Sequence, residues 1–109
     1  MIQATFFHRR TLFGGSVRNG FSISGHAGYA ESGKDIVCAA ASAMMLMTVN
    51  GITEVVGHPA FLQTGENEVI LKLRYPDAKA QTLLDSFFLQ LSGLELDYPE
   101  HIKLSDLEV

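Results

Sequence analysis

The stretch from Ala39 to Met47 is the longest apolar run in the chain, broken only by Ser42. Ala39, Ala40, Ala41, Ala43, Met44, Met45, Leu46 and Met47 are good helix formers, and Asp35 stands where a helix cap belongs. The pattern predicts a helix over 36–50 that ends at Asn50-Gly51 or runs on to Val56. The apolar run is well short of a membrane span, so the helix reads as part of a folded core and no membrane partner is expected.

Strands surround this helix. Residues 2–8 alternate, with Ile2, Ala4 and Phe6 against Gln3, Thr5 and Phe7. Gly14-Gly15 is the expected turn, and residues 17–24 form a second strand with a bulge at Asn19-Gly20. A tighter hairpin turning at Asn19-Gly20 is the alternative. Residues 25–34 show no periodicity and contain Gly25, Gly28 and Gly33, which reads as a mobile loop. Residues 60–64 and 68–75 form a hairpin around Gly65-Glu66-Asn67. A second helix over 78–92 sets Leu83, Leu84, Phe87, Phe88 and Leu91 at three-to-four spacing, with Gly93 to terminate it. A short strand lies at 99–104, before an acidic tail.

The order ββαββαβ predicts an α+β fold. It is a two-layer sandwich in which one mixed sheet is covered by two helices, a single domain over 1–109. Phe7 and Ile70 fall on the face opposite the core residues of their strands, which favours a homodimer.

Apolar residues make up 47% of the chain and charged residues 18%, so a core of useful size is available without staples. The single cysteine excludes an internal disulfide and fits a reducing cytoplasm. The N-terminus lacks the basic region and apolar run of a signal peptide. A net charge of −4 argues against direct nucleic-acid binding and is compatible with a basic peptide partner. His8, His58 and His101 lack ligand spacing, so neither a metal nor another cofactor is expected.

Chemistry concentrates between His26 and Cys38, which lie twelve residues apart. With Asp35 as cap, Cys38 falls near the third helical position. Unpaired N–H groups there favour a thiolate and would help bind a developing oxyanion. His26, at the end of a strand, supplies a base for a nucleophile–base pair. Ala39, Ala40 and Ala41 leave room for an incoming chain. Ser42 follows one turn later on the same helix face as Met45 and Val49. The intervening loop is long enough to close over a peptide.

Each residue also has a plainer reading. A lone cysteine in an Ala-rich helix is commonly a small core residue. His26 alone fits a surface site, Asp35 a cap and Ser42 a packing residue. Met44, Met45 and Met47 fit core filling.

The run from Gly25 to Ala43 resembles the ribosomal-processing cysteine protease family, Prp. The matching pieces are Gly25-His26-Ala27, Gly33-x-Asp35 and Asp35-Ile36-Val37-Cys38-Ala39-Ala40 followed by Ser42-Ala43. Met1-Ile2 with Phe6-Phe7, Gly20-Phe21-x-Ile23-x-Gly25 and Asn50-Gly51 are also similar. The resemblance implies Cys38 as nucleophile, His26 as base and a supporting role for Asp35; Ser42, one turn after Cys38, is a second supporting candidate. It implies a substrate-binding loop containing Gly25, Ala27, Gly28, Tyr29 and Gly33. The implied activity is removal of the N-terminal extension of a large-subunit ribosomal protein, cut beside aromatic residues and upstream of a basic segment, by a homodimer. One departure is Arg9-Arg10-Thr11-Leu12-Phe13-Gly14-Gly15-Ser16, a first hairpin longer and more basic than the family pattern. The rival readings are a non-catalytic ribosome-associated binding module and a redox-sensing thiol protein.

Overall fold

The computed structural model describes residues 1–25 and 35–109. Its elements are β1 (Ile2–Arg10), β2 (Ser16–Ser24), α1 (Ile36–Asn50) with a π-helical turn (Gly51–Val55), β3 (Phe61–Thr64), β4 (Glu68–Lys72), α2 (Ala78–Asp97) and β5 (Ile102–Glu108). The expected order ββαββαβ holds. One five-stranded sheet runs β3-β4-β2-β1-β5. It is mixed, because β1 pairs antiparallel with β2 and parallel with β5.

The period-two pattern of β1 and β2 decides which face is buried. Ile2, Ala4, Phe6 and Phe21 point to the helices and are buried. The rings of Phe6 and Phe87 meet edge-on at 5.4 Å, and Phe87 lies 5.0 Å from Phe21. This aromatic cluster joins the central strands to α2. The bulge falls where expected. Phe7 pairs with Gly20 and His8 with Arg18, leaving Asn19 as the extra residue.

Of the two ends expected for the first helix, the longer holds: Gly51 does not stop the helical run, because its φ of −59° and ψ of −45° are helical. The Val56 amide then reaches back to the Gly51 carbonyl at 2.8 Å. The helical segment Ile36–Val55 is therefore 20 residues long, and by length and composition alone it would cross a bilayer. Here Val37, Ala41, Val49 and Ile52 are buried in the core, while Leu46 and Met47 are exposed. Met47 is thus not core filler.

Strand β4 stops at Lys72 rather than 75. α2 passes through Gly93 to Asp97 because the chain beyond it still packs: Leu94 and Tyr98 lie against the core. The Glu95 carboxylate also accepts the Leu104 amide of β5 at 2.8 Å. The acidic tail is itself strand, since Ser105–Glu108 pair with Thr5–His8 and Glu108 accepts from Arg10 at 3.0 Å. Phe7, one of the two residues behind the expected dimer, is covered within the chain. It is 8% exposed, with the Lys72 ammonium 5.3 Å from its ring.

A buried histidine ties the loop after α1 to the start of α2. The His58 Nε2 accepts the Arg74 amide at 3.0 Å, and its Nδ1 lies 3.3 Å from the Asp77 carboxylate. Asp77 also caps α2, accepting from the Lys79 and Ala80 amides. The Ala80 amide, with His58 and the Lys79 amide, holds this carboxyl below its ordinary value of 3.8 against the opposing effect of burial.

Because the folded-state value is lowered, the associated stability is present above pH 3.8 and is lost as pH falls through that lower value. Chemical denaturation of Asp77→Asn across acidic pH should show lower stability at neutral pH and a flatter acid limb than the parent. A Cβ at Gly93 would meet nothing within 4 Å. Gly93→Ala should therefore stabilise the fold by about 0.5–1 kcal/mol in urea denaturation.

Candidate active site

Cys38 is the third residue of α1. Asp35 immediately precedes the helix in an extended conformation, and its Oδ1 accepts the Cys38 amide at 3.0 Å. Its carbonyl accepts the Ala39 amide at 3.0 Å. The expected cap is therefore real, and it carries a cost for one expectation. The Cys38 N–H is already bonded to Asp35, so it does not point unpaired at an oxyanion. A donor for that role is therefore another group, with the Ile36 and Val37 amides of the first turn among the candidates.

Cys38 is half-buried, not sealed in the core. It lines a cavity of about 180 Å³ together with Ser42, Met45 and Gly25. Helical spacing explains Ser42 and Met45, which follow Cys38 by one and two turns on the same side. Cys38 packs against the core and lines this cavity at once, and Met45 is likewise wall as well as filler.

The opposite wall was not foreseen. The β3–β4 turn places Glu66 and Asn67 along the same cavity, Glu68 at the start of β4 joins them, and Ile2 and Ile23 contribute apolar surface. A turn was readable at Gly65-Glu66-Asn67, but nothing local links it to Cys38. The link comes from sheet order: β4 pairs with β2, so the turn lies beside the end of β2. The Asn67 carbonyl accepts the Gly25 amide at 3.2 Å.

Gly25 sits at that junction with φ +87°, and a Cβ there would collide with the Met1 carbonyl. Only glycine meets both demands. His26, Ala27, Gly28, Tyr29 and Gly33 lie outside the described residues. Of the sequence-derived site, the fold brings Cys38, Ser42 and Gly25 to one cavity, with Asp35 behind them as cap. A larger cleft of about 450 Å³ lies beside His8, Arg18 and Asp85, away from the thiol. It lacks the nucleophile, so the smaller cavity is the site of interest.

The arrangement can present one thiol to an extended chain lying between α1 and the β3–β4 turn. The comparisons agree with that chemistry. The family model for cysteine protease Prp matches residues 1–103. The ribosomal processing cysteine protease Prp of Bacillus subtilis (strain 168) is 31% identical over 112 aligned positions, covering 96% of each chain. The Staphylococcus aureus (strain Mu50) protein of the same name is 33% identical over 86 positions, covering 76% of this chain and 81% of its own.

A solved Streptococcus mutans structure superposes with a TM-score of 0.82 at 30% identity, covering 100% of this chain and 96% of its own. The S. aureus Prp structure with a covalently linked product peptide gives 0.82 at 27% identity, covering 98% of this chain and all of its own. With the fold, the thiol-lined cavity and the whole-chain match in agreement, this chain belongs to the Prp family and is a cysteine protease.

Proposed function

We propose that the protein removes the N-terminal extension of a large-subunit ribosomal protein, with Cys38 as nucleophile and His26 as its base. The observation that carries this reading is the half-buried Cys38, in the first turn of α1, lining a cavity between that helix and the β3–β4 turn. The relatives named as ribosomal processing proteases, and the S. aureus enzyme solved with substrate and product peptides, supply the substrate class.

In the proposed reaction His26 takes the thiol proton as Sγ attacks the scissile carbonyl carbon. First-turn amides other than that of Cys38 steady the oxyanion. Collapse breaks the C–N bond, and His26 passes the proton to the leaving amine. Water, deprotonated by His26, then hydrolyses the thioester and restores the thiol. Asp35 supports the reaction by fixing where the helix begins. Ser42 lines the bound chain, and residues 27–34, with Gly28, Tyr29 and Gly33, close over it. The reading includes a homodimer working in the cytoplasm, where a lone thiol stays reduced.

Incubation with the extended ribosomal protein, followed by intact mass, tests this. The parent should yield the shortened product. Cys38→Ala should yield none, and undiminished cleavage by that variant would end the reading. Gly25→Ala should lower kcat by about a hundredfold, the scale of a misplaced reacting group. In that variant, the rate of Cys38 alkylation against pH should move towards that of an ordinary thiol. An unchanged pH profile would remove Gly25 from the positioning role.

A further inference from the structure

The net charge of −4 is unevenly spread. Three of the four arginines, Arg9, Arg10 and Arg74, line two adjoining depressions of about 410 and 30 Å³ that share Arg9, Pro76 and Gln81. No aspartate or glutamate is among the described residues lining them. The thiol cavity is the reverse, with Glu66 and Glu68 and no basic residue among those described. The two sites lie at opposite ends of the central strands. Nine residues of β1 separate them by roughly 25–30 Å.

Among the described residues, Arg9 and Arg74 make no ion pair. Arg10 donates to Glu108 at 3.0 Å, yet its side chain is 79% exposed. The Arg74 Nε is held by the Pro59 carbonyl at 2.6 Å, so its guanidinium is positioned without being neutralised. The nearby Asp77 carboxylate is engaged by His58 and the α2 amides. Tyr75 lines the smaller depression, and Leu12, next to Phe13 in sequence, lines the larger. Tyr75 lies against the buried His58 ring at 4.3 Å and is 51% exposed, and Phe13 at the hairpin tip is 98% exposed.

Guanidinium forks match phosphate oxygens, and exposed rings accept unstacked bases. We propose that this arginine groove binds the phosphodiester backbone of single-stranded or looped RNA, with Tyr75 and Phe13 as stacking platforms. The site goes beyond the protease reading and does not depend on it. Two apolar tip side chains, Leu12 and Phe13, are a small anchor for a bilayer. The aromatic residues beside the arginines favour RNA.

Fluorescence polarisation with labelled oligouridine RNA tests the proposal on the full chain. The parent should bind in low salt, with affinity falling on a log–log slope of about −2, as three phosphates at about −0.7 each require. Arg9→Ala with Arg74→Ala should weaken binding about tenfold and bring the slope towards −0.7. Arg9→Lys with Arg74→Lys should keep the slope, and Tyr75→Ala should weaken binding several-fold without changing it. Peptide cleavage should be unchanged in all of them. The proposal is overturned if low-salt binding is absent, if the double alanine variant binds like the parent, or if Lys103→Ala loses as much. Capture by anionic phosphatidylserine vesicles in place of RNA would also overturn it.

Discussion

Asp35 accepts the Cys38 amide at 3.0 Å, and that bond decides where α1 begins and where its sulfur emerges. One residue of slippage would turn the thiol by about 100° around the helix axis, away from the cavity. The same bond withdraws the Cys38 amide from the pool of unpaired donors. An oxyanion donor in the proposed reaction is therefore a group other than the capped amide.

The site has two walls of different origin. α1 supplies the thiol, Ser42 and Met45 through the 3.6-residue repeat. The second wall is a turn between two short strands, brought near only because β4 pairs with β2 and not with β1. Gly25 joins them, with the Asn67 carbonyl on its amide and the Met1 carbonyl where a side chain would stand. That crowding gives the chain one way out of β2, immediately before His26.

At the far end of the strands, His58 performs a comparable service. By accepting the Arg74 amide and facing Asp77, it joins the end of the β3–β4 hairpin to the α2 cap. Whole-chain charge had argued against nucleic acid. That inference averages over two ends, one bearing Glu66 and Glu68 and the other Arg9, Arg10 and Arg74. Charge acts over about 10 Å at moderate ionic strength, so each end presents its own field to a partner.

Element identity was legible in the amino-acid order. Alternation marked β1 and β2, the Asp35 cap and alanine-rich run marked α1, and Asn19-Gly20 marked the bulge. These are local properties, set within a few residues by sterics and side-chain spacing. Element length was less legible. Gly93 resembles a stop, but packing of Leu94 against the core and the Glu95 bond to β5 outweigh its intrinsic preference. The acidic tail resembles a solvated end until β1 offers it a partner. The composition of the thiol cavity and the convergence of the arginines were decided only in three dimensions. Both follow from which strands pair, and pairing joins residues far apart along the chain, where no local pattern records it.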